Sequence, residues 1–199
     1  MKKIKNLVYL LVISTVATAF GIPGIASAKE YFTINNGQLE RPAGFREWIY
    51  VGTPVTPNDM NDGKAPFPEF HNVYIDPESW QHWKETGKFR EGTILIKELV
   101  SVGSKAAPSG KGYFMGEFIG LEATIKSKRV FPNEPGNWAY FSFSTKDHKS
   151  LAKSSKAMPQ PACNGCHAAN AGDDFVFTQF YPVLRAGKAN PKKAVGGEL

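Results

Sequence analysis

Cys163-Asn164-Gly165-Cys166-His167 constrains this chain more than any other stretch, because it holds the only two cysteines and follows them at once with a histidine. Two thiols three positions apart, trailed by an imidazole, form the c-type haem attachment pattern. Each thiol adds to one vinyl group and the histidine meets the iron. Cys163 and Cys166 are therefore read as thioether attachment points and His167 as the proximal ligand to the iron of a single heme c. The same cysteine spacing also occurs in thioredoxin-like dithiols and in half of a zinc site. A redox dithiol usually sits near the start of a βαβ unit, and a zinc site needs further cysteines or paired histidines, which are absent here. With both cysteines committed to haem, no disulfide is available, and cohesion must come from the apolar core and the haem.

The start of the chain agrees with that assignment. Lys2, Lys3 and Lys5 precede an apolar run, Leu7 to Phe20, that is short for a membrane span, and Ala26-Ser27-Ala28 has the small-residue pattern of a cleavage site. Residues 1–28 are read as a signal peptide and 29–199 as one haem domain in the periplasm. An uncleaved anchor is the alternative, opposed by Gly21, Pro23 and Gly24, which interrupt any longer helix. Without the three lysines of the export segment, the net charge falls from +6 to about +3. Nothing in that balance calls for nucleic acid, and Lys192 and Lys193 lie in a polar tail.

Along the chain, Glu30 to Arg41 reads as an exposed arm with a turn at Asn35-Asn36-Gly37. Phe45 to Val51 fits either a helical turn or a strand. Gly52 to Pro68, with four prolines, has the composition of a long ordered loop. Phe70 to Ile75 alternates as a strand, with His71, Val73 and Ile75 on one face. Asp76-Pro77-Glu78 starts a helix that Gly87 ends, and Trp80 and Trp83 share one of its faces. Thr93 to Val102, Tyr113 to Lys126 and Trp138 to Phe143 read as further strands. Lys146 to Ala157 reads as a polar helix and Cys163 to Ala171 as another, followed by the aromatics Phe175, Phe177, Phe180 and Tyr181. The expected class is α+β, an antiparallel sheet with helices packed on it. The last methionine, Met158, precedes the haem motif, so the distal iron site is expected to be open or held by an upstream residue. A plain electron carrier would instead supply a methionine ligand downstream.

Lys97 stands mid-strand in ILIKELVSV, sharing a face with Leu95 and Leu99. A buried ammonium loses its hydration, which favours a neutral and nucleophilic amine. The alternatives are an edge strand whose lysine reaches water, or a carboxylate partner.

The segments REWIYVGTPVTPNDMNDGKAPFPEF, VYIDPESW, FREGTILIKELVSVG, GYFMGEFIGLEA, NEPGNWAYFSF, CNGCH and FTQFYPVLR together resemble the cytochrome P-460 family, colinearly from about Gly44 to Lys188. The resemblance implies a periplasmic, usually homodimeric, β-rich protein with one c-type haem, to which a lysine is bonded besides the two thioethers. It implies oxidation of hydroxylamine to nitrous oxide at a five-coordinate haem, with nitric oxide chemistry in the cycle and another periplasmic cytochrome as electron acceptor. Lys97 stands where that lysine stands. Active members are expected to use a carboxylate close to the haem motif as proton acceptor, yet His148 to Ala162 contains no Asp or Glu. His71 is the first substitute considered, since histidine ordinarily titrates near neutrality; a satisfied core histidine is the alternative. Glu122 and Glu98 are weaker candidates, expected on a solvated face or paired with lysine. His82 and His148 are expected at the surface, and Phe67, Phe70 and Phe89 are candidates for lining a distal cavity or for plain core. The competing function is a nitric-oxide-binding protein of the same fold, like the β-type cytochromes c-prime.

Overall fold

Period-two alternation through the middle of the chain builds one curved antiparallel meander with two very different faces. A computed structural model describes residues 29–145 and 150–188. Residues 1–28, His148, Lys192 and Lys193 lie outside the described residues. In chain order the elements are β1 (Ile34–Asn35), β2 (Gln38–Glu40), β3 (Ile49–Gly52), β4 (Phe70–Ile75), α1 (Pro77–Thr86), β5 (Ile94–Ala107), β6 (Gly110–Lys126), β7 (Trp138–Ser142), β8 (Ser154–Lys156), α2 (Gln160–Asn170) and α3 (Pro182–Gly187). The order β3-β4-β5-β6-β7 forms the main sheet and β1-β2-β8 a small second one. The class is α+β, as expected.

Direct cross-strand partners share a face, so the register sorts the side chains. Ile75, Leu95, Thr124 and Tyr140 form one row; Val73, Lys97, Glu122 and Ser142 form the next; His71, Leu99 and Gly120 form a third. The opposite face carries Ile94, Ile96, Leu121, Ala123, Ile125, Ala139 and Phe141, which pack with Phe32, Leu39 and Phe45 into a closed apolar layer.

That layer corrects one expectation. The segment from Glu30 to Arg41 is a hairpin rather than an exposed arm: Leu39 is fully buried and Phe32 nearly so. Asn36 and Gly37 turn it with positive φ at both central positions, the geometry that matches strand twist. A second correction concerns 146–157. Where described, this stretch is extended: Leu151 bridges Ser144, and β8 pairs antiparallel with β2. Its polar run is stabilised by a strand partner from the far end of the chain, which local propensity does not register.

The helices lie on the other face. Asp76 caps α1 by accepting from the Ser79 N–H at 2.9 Å, and its second oxygen accepts from the Ile94 N–H at 3.0 Å. Gly87 ends the helix at φ 67°. The Trp83 indole donates to the Leu184 carbonyl at 2.8 Å, tying α1 to α3. Phe45–Glu47 is a short 3-10 turn and β3 follows at once, so both readings of that stretch apply in succession.

Candidate haem site

Between the helix-bearing face of the sheet and α2 lies a cavity of about 310 Å³, a size typical of ligand sites. His71, Val73, Leu95, Lys97, Glu122 and Tyr140 line it from the sheet, and Cys163, Cys166 and His167 from α2. The structure thus gathers every expected site residue into one space. Cys163 is half-buried, Cys166 is exposed, and both thiols are free. Among the described residues no group of three or more His, Cys, Asp and Glu side chains comes together as a metal ion would require, which leaves the zinc alternative without a site.

Local chemistry fixes α2 against the sheet. Pro161 lies in its first turn, where a missing N–H costs nothing. Asn164 is buried and donates to Glu134 Oε2 at 3.1 Å and to the Trp138 carbonyl at 3.3 Å. Asn170 donates to the Cys166 carbonyl at 2.9 Å.

His167 is held for ligation. Its Nδ1 lies 2.7 Å from the Phe175 carbonyl, and a carbonyl can only accept, so Nδ1 carries the proton and Nε2 keeps its lone pair. Burial pushes His167 below the ordinary imidazole range, opposed by the Phe175 carbonyl and assisted by the Lys97 charge. The ring is therefore neutral at neutral pH, the form an iron needs. Tyr140 and Phe177 clamp it at ring distances of 4.5 and 4.6 Å.

The turn that aims the Phe175 carbonyl is strained. Asp174 and Phe175 both have positive φ, at 42° and 64°, between the bridged residues Asp173 and Val176. A bulky residue in that region costs on the order of 1–3 kcal/mol. Lys126 and the Trp138 indole hold Asp174 Oδ1 at 3.0 and 3.3 Å. A Cβ at Gly136 would stand 2.4 Å from the Phe175 ring, so only glycine leaves room for it.

On the sheet side, Lys97 Nζ lies 2.6 Å from Glu122 Oε2, its direct cross-strand partner, and 5.4 Å from the Phe67 ring. The lysine is neither unpaired nor free in water. His71 Nε2 is buried without a hydrogen-bond partner and faces Glu69 Oε1 at 3.7 Å, beyond hydrogen-bond length. Stepping from Tyr140 to the His71 row crosses three strand spacings and four residues, about 14 Å by 13 Å, so His167 and His71 belong to opposite ends of the cavity.

Other candidates separate cleanly. Glu98 is on the closed face and pairs with Arg46 at 2.9 Å, so it is neither solvated nor lysine-bound. Phe67 lines the cavity, whereas Phe70 and Phe89 are core. His82 is half-buried on α1 and does not line the cavity, and Met158 does line it. Sequence reasoning missed Glu69, which sits at the end of the Pro-rich loop with no periodic signal, and the Phe175 carbonyl, which no side-chain pattern announces.

The donor set fits a covalently held haem: an apolar cavity, two free thiols on one helix, an imidazole with its lone pair available, and a buried histidine nitrogen without a partner. A family model described as Cytochrome P460 matches residues 42–178. No curated protein matches the chain.

Proposed function

The chain belongs to the cytochrome P460 family and so binds a c-type haem covalently, with its iron; from that premise we propose that it oxidises hydroxylamine to nitrous oxide, with nitric oxide chemistry in the cycle. Cys163 and Cys166 would carry the haem, His167 would ligate its iron, and Lys97 would form a third bond to it. The observation that carries this reading is the placement of Lys97 Nζ in the wall of the cavity that α2 closes. When bound, the haem supplies an iron that takes up hydroxylamine and its electrons, tuned by what is attached to the macrocycle.

Two hydroxylamines yield one nitrous oxide, one water, four protons and four electrons. Proton removal therefore needs a base at the far end of the cavity. His71 fills that role, since its Nε2 is buried without a hydrogen-bond partner and faces Glu69 Oε1 at 3.7 Å. Electrons pass to another periplasmic cytochrome. Phe180, 59% exposed and stacked on Phe177 at 6.0 Å, brings the aromatic packing around His167 to the surface where such a partner would meet it. Export through residues 1–28 to the periplasm and assembly as a homodimer complete the proposal.

A second reading is a nitric-oxide-binding protein without hydroxylamine oxidation. It is favoured by the lack of Asp and Glu from 148 to 162. Mass spectrometry of haem-bearing tryptic peptides, combined with hydroxylamine-dependent reduction of an added one-electron acceptor, separates the two. A Lys97 peptide joined through haem to the peptide of Cys163 and Cys166, with acceptor reduction, supports the oxidase. A free Lys97 peptide and no reduction would leave nitric oxide binding as the function.

A further inference from the structure

The carboxylate nearest to Lys97 is placed to do more than neutralise it. Lys97 and Glu122 are direct partners on the same face of β5 and β6, and their heads meet at 2.6 Å inside the cavity. Their side chains are 28% and 32% exposed, and both residues line the cavity. An exposed pair of this kind is worth about 0–1 kcal/mol, so stability alone gives little reason for it. Once haem covers the pair, water leaves, both charges lose hydration, and a proton transfer that leaves two neutral groups becomes favourable.

We propose that Glu122 is the proton acceptor that activates Lys97 for its bond to the haem. This inference rests on the Lys97 bond proposed above and goes on to say how it is made. Joining a lysine ammonium to a porphyrin meso carbon breaks two N–H bonds, one of them that of the ammonium's extra proton, and one C–H bond, so three protons leave. The C–N bond forms with loss of two electrons. A peroxide is the co-reactant required: it takes those two electrons and two protons and leaves as two waters. One proton remains, from the ammonium, and Glu122 Oε2 receives it. An ion pair thereby becomes a secondary amine beside a neutral acid, and atoms and charge balance.

Geometry also makes Glu122 a positioning group. Without it the long lysine side chain is free to turn toward the Phe67 ring, 5.4 Å away, at the mouth of the cavity. The cross-strand contact keeps Nζ inside. His71 and Glu69 form a separate pair in the next row, so neither competes for the ammonium at hydrogen-bond range.

The test matures parent, Glu122→Gln and Glu122→Asp proteins with a periplasmic haem attachment system, exposes each to hydrogen peroxide, and follows haem peptides by mass spectrometry. The expected result is intact thioether attachment in all three and a lysine bond that forms about a hundredfold more slowly in Glu122→Gln, with partial recovery in Glu122→Asp. Equal rates in parent and Glu122→Gln would overturn the proposal while leaving the Lys97 bond in place. A parent protein that never forms the bond overturns the Lys97 reading itself. If Glu122→Gln does not load haem, Glu122→Asp against Glu122→Ser carries the same comparison.

Discussion

The two faces of the five-stranded sheet are built from the same strands and behave as opposites. On one, Ile94, Ile96, Ala123, Ile125 and Phe141 are capped by an N-terminal hairpin into a closed apolar layer. On the other, one position along each strand, come His71, Lys97, Glu122 and Tyr140, and the covering helix stands off to leave a cavity. Alternation along a strand is thus used twice: once to close a core, once to hold reactive groups at fixed spacing on a rigid support. The lesson is that stability and chemistry have been assigned to different faces, so they should respond to different substitutions.

Four experiments test that division. Lys97→Leu should show the largest effect, complete loss of the third haem attachment and of hydroxylamine oxidation, with both thioethers retained and stability changed by no more than about 1 kcal/mol. Haem-peptide mass spectrometry and denaturant melts would show it, and full activity in this variant would remove the lysine bond from the mechanism. On the closed face, Phe141→Ala should destabilise by about 3–5 kcal/mol while leaving haem attachment intact. If unfolding curves for the two variants were superimposable, the faces would not be divided as described.

His71→Ala should slow turnover about a hundredfold, about 2.7 kcal/mol, with a smaller change in hydroxylamine binding. An unchanged kcat would take His71 out of proton transfer. The smallest effect belongs to Glu91, outside both faces. Burial tends to raise its carboxyl pKa, but bonds from Ser127 Oγ and the N–H groups of Lys128 and Arg129 outweigh this and hold it below the ordinary range. A depressed pKa contributes stability above the unfolded value, near 4.5, that is lost as pH falls through the folded one. Glu91→Gln should therefore flatten the decline in melting temperature below that pH and leave the neutral-pH activity unaltered.

How far the sequence announced this arrangement varies with the range of the interaction. Strand parity groups His71 with Val73 and Ile75, and Lys97 with Leu95 and Leu99, and the cap at Asp76 with the stop at Gly87 marks α1, because these depend on neighbours along the chain. The sequence offers Lys97 a carboxylate partner and Glu122 a lysine partner, and a 2.6 Å contact joins the two, but that they are each other's partner is not legible. It depends on hairpin register, and β5 and β6 shift register repeatedly beyond Leu99. The hairpin of β1 and β2 reads as exposed from the sequence because Leu39 is a lone apolar residue in a polar run. Likewise β8 looked helical, since its partner is remote in sequence. The haem motif, by contrast, is local chemistry and could be read directly.

The pairing of β2 with β8 has a consequence in time. Gln38 and Ser154, bonded across it, are 116 positions apart, whereas β3 to β7 pair only with their neighbours in the chain. Contacts of long sequence separation form late, because loop closure is costly before they reward it. Pulse-labelled hydrogen exchange should find amides of β4 and β5 protected before those of β2 and β8, and simultaneous protection would contradict this order. Since α2 follows β8 directly, its two thiols stay accessible while the sheet matures, and the last strand to dock sets how long the chain can wait for its haem.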